Sequence, residues 1–287
     1  MNLLEVAHLA KNYGATRAVR DVSFTLPAGF IMGLVGPNGA GKTTTIKAVL
    51  GLARRDSGTV NVLGESVVGD TRSFQSDVGV VMDAPFFLDE WTLAEIEKAV
   101  APFYPDWDAD AYAARLASFG LVAGARVREL SRGMKMKLQL AVALSHNAKL
   151  LVLDEPTSGL DPVVRDEMCE LLLDFVTDES KGVLFSTHIT TDLEKTADLI
   201  TLVQAGTTVF TGAKDELLGR WSRIAGGLGD LDPDQRAQVI GYREHPTGFD
   251  GLIETTVTRD LPDSVIVEPA SLDEIVVGLN RESLHHE

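Results

Sequence analysis

The sequence predicts an α/β fold organised around a phosphate-binding loop. Three observations carry that expectation. Strand-like and helix-like runs alternate from residue 1 to about 218. Gly36-Pro37-Asn38-Gly39-Ala40-Gly41-Lys42-Thr43 fits the spacing G-x-x-x-x-G-K-[ST], between an apolar run and a helical one. A second apolar run, 150–153, ends in the paired acids Asp154 and Glu155.

In order along the chain, residues 30–35 read as a buried strand feeding the glycine-rich turn, and 42–52 as the helix after it. Residues 78–82 form the next strand. From about 91 to 146 the pattern turns helical, punctuated by Pro102, Pro105 and Gly120, which marks a helical subdomain. Strands return at 150–153 and 183–186 with a helix over 163–176 between them, and a strand-rich stretch over 199–210 closes a main domain of residues 1–218. Past that point Gly226-Gly227-Leu228-Gly229-Asp230 and Asp232-Pro233-Asp234 are linker and cap signals. Short strands at 252–257 and 265–267 and a helix at 271–279 then predict a small α+β appendage over 219–287.

Composition narrows the function classes. The 287 residues are 45% hydrophobic and 24% charged, ample for a real core. With 26 Lys+Arg against 42 Asp+Glu the net charge is −16, which argues against a nucleic-acid partner but leaves room for a local phosphate pocket. The single cysteine, Cys169, excludes an internal disulfide framework and reads as a packed helical residue. No apolar run approaches the ~20 residues of a membrane helix, and the N-terminus lacks the basic start of a signal peptide. The expected place is cytoplasmic, so that work at a membrane goes through a partner.

The chemistry sits in the loop and the acids. The glycines let the backbone N–H groups of Gly36 to Thr44, all but that of Pro37, which has none, converge on phosphate oxygens, with the following helix N-terminus adding its positive end. Lys42 reaches the β- and γ-phosphates, and the Thr43 hydroxyl is a ligand for Mg²⁺. Asp154, at a strand's carboxyl end beside that loop, holds Mg²⁺ through water. Glu155 is the general base that orients and polarises the attacking water.

In these motifs the chain resembles the ATP-binding subunits of ABC transporters over residues 2 to about 218. Leu130-Ser131-Arg132-Gly133-Met134 stands where that family has its signature motif, Ser158-Gly159-Leu160-Asp161 looks like its D-loop, and His188 looks like its switch histidine. Tyr13 is placed like the aromatic that stacks on adenine, or else is simply core. The resemblance implies a P-loop NTPase fold of the ABC type. It implies ATP hydrolysis with Mg²⁺, a sandwich of two copies in which Ser131, Arg132 and Gly133 face the other copy's ATP with Asp161 at the interface, and a separate membrane-spanning subunit.

Two departures stand out. Arg132 and Met134 replace a glycine and a glutamine of the signature, and Asp83 replaces a glutamine that senses Mg²⁺ and the γ-phosphate. Asp83 is one methylene shorter and charged, so it is a less direct Mg²⁺ ligand. Pro85-Phe86-Phe87 after it, the short appendage and the 269–275 segment are similar to the ABC-2 type exporter group. The aromatics Phe86, Phe87 and Trp91 either fill the core or line a groove for a helix of the membrane subunit. The competing readings are a soluble ABC-type ATPase acting on DNA or ribosomes, and a nucleotide-binding regulator of low turnover. The short helical insertion and acidity weigh against the first, the presence of Glu155 and His188 against the second. The other histidines, His8, His146, His245, His285 and His286, read as surface or tail.

Overall fold

Two long strands, β1 (Asn2–Tyr13) and β2 (Thr16–Pro27), open the chain as an antiparallel hairpin with no helix between them. Strand–helix alternation therefore starts later than the sequence suggested. The cause is period-2 patterning: Leu4 pairs with Leu26 and Val6 with Phe24, and all four are buried. In the computed structural model the described residues are 1–68, 73–84 and 86–285. Pro85 and His286, both singled out above, lie outside them.

Next come β3 (Ile31–Val35), α1 (Lys42–Val49), β4 (Ser57–Val62), β5 (Glu65–Ser66) and β6 (Val78–Val81). The helical insertion holds α2 (Leu93–Val100), α3 (Ala109–Ser118) and α4 (Arg132–Ala143). The main domain resumes with β7 (Leu150–Asp154), α5 (Pro162–Phe175), β8 (Gly182–Thr187), α6 (Thr190–Thr196), β9 (Leu199–Gln204), β10 (Thr207–Ala213) and α7 (Lys214–Arg220). The remainder is β11 (Trp221–Gly226), α8 (Pro233–Arg236), β12 (Ile240–His245), β13 (Gly248–Glu254), β14 (Ile266–Pro269) and α9 (Leu272–His285).

Ten strands form one sheet in the order β5-β4-β1-β2-β10-β9-β3-β8-β7-β6. Its second half, β9-β3-β8-β7-β6, is parallel. β3, β7 and β8 are buried at every position, as strands covered on both faces must be. Their carboxyl ends lie side by side, Val35 opposite Thr187 and Asp154 opposite Ser186, and this row positions the site.

Side-chain caps fix where the helices begin. Thr92 and Glu95 form a reciprocal capping box on α2, Asp108 caps α3, Ser131 caps α4 and Asp161 caps α5 ahead of Pro162. Each such cap contributes about 1 kcal/mol. The insertion has its own apolar core of Leu93, Ile96, Tyr112, Leu116 and Leu138, among others, on which Phe87 and Trp91 lean.

The stretch after residue 220 is a four-stranded antiparallel sheet, β12-β13-β11-β14, with a core of Ile224, Phe249 and Ile253. Its expected strand at 252–257 runs instead over β13, because residues 255–260 coil into a 3₁₀ helix. It does not stand apart: Trp221, Leu252, Leu272 and Ile275 share one apolar cluster with Met168, Leu193 and Ile200 of the main domain. Leu272 N–H donates to the Glu194 carboxylate at 2.7 Å and Thr190 Oγ1 to Asp273 at 3.2 Å, so α9 is tied to α6.

Candidate functional site

The glycine-rich loop leaves β3 and enters α1 as its spacing demands. A Cβ on Gly36 would collide with the Val203 carbonyl, and one on Gly41 would come within 2.5 Å of the Ala18 carbonyl. Gly41 is also the N-cap of α1 at φ +103°, where only glycine is unstrained. It supplies no side-chain acceptor, so the first-turn N–H groups of α1 remain for an anion. Ala40 is buried, whereas Asn38 and Gly39 are exposed at the loop's tip. Thr44 is half-buried in the first turn.

Lys42 folds back over this loop. Its Nζ donates to the Gly36 and Pro37 carbonyls at 2.8 and 3.3 Å and lies 3.3 Å from Glu155 Oε1. The side chain is buried, and a buried ammonium needs partners of this kind. Thr43 Oγ1 donates to Asp154 Oδ1 at 3.2 Å, and Ser186 Oγ donates to the same oxygen at 2.6 Å. Asp154, the last residue of β7, is thus aimed by the neighbouring strand as well as by its own.

Glu155 has φ +52°, a conformation that costs a non-glycine residue roughly 1–3 kcal/mol and persists only where the surroundings enforce it. Its N–H bonds the Ser186 carbonyl at 2.9 Å, which locks the turn. The turn carries the carboxylate to His188: Oε2 lies 2.6 Å from the ring Nδ1 and accepts the His188 N–H at 3.3 Å. Lys42, Thr43, Asp154, Glu155 and His188, scattered in sequence, therefore converge on one row of strand ends. Tyr13 ends β1 half exposed, with Lys11 Nζ 5.2 Å from its ring centroid. The hairpin it belongs to returns past the loop at Ala18.

Ser131, Arg132 and Gly133 open α4 at a distance from that row. Ser131 Oγ accepts from Met134 N–H at 3.3 Å. Arg132 Nη2 meets Asp83 Oδ1 at 2.6 Å. Asp161 caps α5 through the Val163 and Val164 N–H groups, both at 3.1 Å.

Sequence reasoning missed two residues. Gln139 is buried in α4 and bonds the Met82 backbone; its signal was one amide inside the apolar run Leu138–Val142. Ser186 orients Asp154. One expectation is corrected: His146 is not surface. It is buried, with Nδ1 3.0 Å from the Ser76 carbonyl and its ring stacked 3.9 Å from Tyr104. Both partners are far away in the chain, so spacing could not reveal them. Phe87 and Trp91 lean on the helical core, whereas Phe86 is 69% and Leu88 58% exposed.

The fold and this cluster define a P-loop nucleoside triphosphatase. The family profile described as ABC transporter matches residues 19–158. The Nod factor export ATP-binding protein I of Burkholderia orbicola (strain AU 1054) is 37% identical over 220 residues, covering 75% of this chain and 72% of that protein. The protein of that name from Rhizobium etli is 33% identical over 251 residues, covering 84% and 78%. A solved ATP-binding subunit of an ABC transporter superposes with TM-score 0.68 at 29% identity, over 75% of this chain and 91% of that one. A nucleotide-free ATP-binding cassette, at 22% identity and TM-score 0.65, shares the fold. The chain belongs to the ATP-binding subunits of ABC transporters, and it binds and hydrolyses ATP. Among the described residues no helix is long and apolar enough to cross a membrane.

Proposed function

We propose that this chain is the motor of an ABC exporter, working as a pair of copies on the cytoplasmic face of a separately encoded membrane subunit. The observation that carries the reading is the convergence of two bonded sets at neighbouring strand ends, Lys42–Glu155–His188 and Thr43–Asp154. The glycine loop and the first turn of α1 take the phosphates of ATP, and Lys42 exchanges its carbonyl partners for β- and γ-oxygens. Tyr13, exposed beside the loop, offers its ring to adenine.

The Thr43 hydroxyl and the Asp154 carboxylate are hard oxygen donors 3.2 Å apart, a pair that suits Mg²⁺. When bound, Mg²⁺ neutralises charge on the β- and γ-phosphates. Asp83 stands further out, paired to Arg132, and is a weaker candidate ligand. Glu155 holds and orients the attacking water as general base, and His188 fixes the Glu155 carboxylate while presenting its other ring nitrogen to the γ-phosphate. Ser131, Arg132 and Gly133 face the second copy's ATP, and Asp161 lies at that junction.

Export rather than import is supported by the relatives, whose names specify Nod factor export. The test is MgATP hydrolysis by the purified chain alone and with the adjacent membrane protein. Hydrolysis is expected in the parent and absent in a folded Lys42→Ala chain; equal rates would overturn the assignment.

A further inference from the structure

Two of the three residues that depart from the family pattern, Asp83 and Arg132, are bonded to each other. Arg132 Nη2 donates to Asp83 Oδ1 at 2.6 Å, across the seam between the helical insertion and the parallel sheet. The contact belongs to a stripe. On α4, Arg132, Lys135 and Gln139 stand at i, i+3 and i+7, one face of the helix. Arg132 takes Asp83, Lys135 takes Asp89 at 3.3 Å, and Gln139 takes both backbone groups of Met82. Helix α4 thus holds three residues, Met82, Asp83 and Asp89.

The three grips differ in kind. Gln139 is buried, so its bonds are costly to break. The Asp83–Arg132 pair is 56% and 51% exposed, screened by solvent and cheap to exchange. Arg132 also sits where an arginine is out of place. It is the first residue of α4, a helix with no acid in its first turn, so its charge adds to the positive end of the helix dipole. A cation there calls for an anionic partner, and in the single chain Asp83 supplies it. The guanidinium also lies against the loop before α5: a Cβ on Gly159 would lie 3.3 Å from Arg132 Cζ.

Resting on the ATP-sandwich reading above, we propose that Arg132 is an ATP-contacting residue parked on Asp83 in the free subunit. On assembly of the sandwich its guanidinium exchanges that carboxylate for the phosphates of the facing subunit's ATP. A phosphate offers more charge and a matching set of oxygens to a planar guanidinium, so the exchange runs towards the nucleotide once the two copies meet. Leaving Asp83 also takes the guanidinium off Gly159 and lets the loop to Asp161 move with the interface. The substitution of glycine by arginine in the signature and of glutamine by aspartate in the sensing segment are then one device: each departure supplies the other's counter-charge.

The experiment is a double-mutant cycle read by ATP-driven dimerisation. In a Glu155→Gln background, which retains ATP, light scattering gives the MgATP concentration at half-maximal dimer for Asp83→Asn, Arg132→Gln and the double variant. Asp83→Asn releases the arginine and is expected to lower half-saturation about threefold, the scale of a half-exposed ion pair. With Arg132→Gln already present, Asp83→Asn should change nothing. Arg132→Lys, which keeps the charge, should restore the response to Asp83→Asn and covers the case of an unfolded Arg132→Gln chain. An equal effect of Asp83→Asn in both backgrounds, or weaker dimerisation in both, overturns the proposal and leaves Asp83 acting on the nucleotide directly. A Glu155→Gln chain that stays monomeric at saturating MgATP defeats the sandwich itself, and this proposal with it.

Discussion

The side-chain amide of Gln139 binds both backbone groups of Met82, accepting from its N–H at 3.1 Å and donating to its carbonyl at 3.0 Å. Met82 is the first residue past the edge strand β6, where the ladder with β7 has ended. A helix residue thus completes the backbone pairing that a further strand residue would have provided, and α4 is tied to the end of the sheet.

From this contact follows the first expectation. Gln139→Leu keeps the volume but strands a buried N–H and a buried carbonyl, at a cost of about 2–3 kcal/mol. Denaturant unfolding of the purified chain measures it. A loss below about 0.5 kcal/mol would mean that water or a shifted loop satisfies Met82 instead. Gln139→Glu keeps an acceptor and adds a buried charge, and should be the worse of the two.

A second expectation concerns the Glu155–His188 pair. Glu155→Gln preserves the shape of the carboxylate and removes the base, so turnover should fall about 10²–10⁴-fold while ATP still binds. His188→Ala leaves Glu155 chemically intact but frees it from the ring 2.6 Å away. It should lower kcat through lost positioning of Glu155 and also raise KM, because the ring's other nitrogen no longer meets the γ-phosphate. Steady-state MgATP hydrolysis separates the two, and parental kcat in His188→Ala would dismiss the histidine from the site.

Much of this was legible in the chain because the chemistry is local there. The loop from Gly36 to Thr43 and the acids at 154 and 155 sit in short segments whose residue types admit few other uses, and the structure joins them. Glu155 shows what spacing alone withholds: its place at the end of a strand beside the loop was readable, but not the left-handed backbone that turns it towards His188. The same limit hid Gln139 and His146, whose partners Met82 and Tyr104 are brought near only by tertiary packing. At the N-terminus the patterning of the β1–β2 hairpin was present in the sequence but absorbed into an assumed strand–helix alternation. Nor could spacing show that Leu272 and Ile275 of the appendage pack in one cluster with Met168, Leu193 and Ile200 of the main domain.

The buried His146 sets a pH dependence. Burial pushes its pKa below the ordinary 6.5, opposed in part by the bond to the Ser76 carbonyl. Below about pH 6.5 the unfolded chain takes up a proton that the folded one resists, so folding loses stability as pH falls. One such group can contribute at most about 1.4 kcal/mol per pH unit. Unfolding measured at pH 7.5 and 5.5 should show a larger drop for the parent than for His146→Gln. The comparison is of slopes, because the glutamine also loses the stacking on Tyr104. Equal slopes would rule out His146 as the titrating group.

Phe86 and Phe87 are neighbours with opposite surroundings, and that contrast separates partner docking from folding. Phe86 is 69% exposed beside Leu88, whereas Phe87 leans on the core of the helical insertion. Two exposed apolar side chains at positions 86 and 88, in a chain of net charge −16, suit an amphipathic basic helix of a membrane subunit. Phe86→Ala should leave the stability and ATP hydrolysis of the isolated chain near parental and weaken capture of the membrane subunit, at about 2 kcal/mol if the ring is an interface anchor. Phe87→Ala should instead destabilise the fold by about 2 kcal/mol through lost packing, with partner binding falling only in step. Co-purification from cells producing both subunits, alongside unfolding of each isolated variant, reads the two effects separately. Full co-purification and transport with Phe86→Ala would remove this segment from the coupling surface, and an unaltered unfolding midpoint for Phe87→Ala would move that ring from the core to the interface.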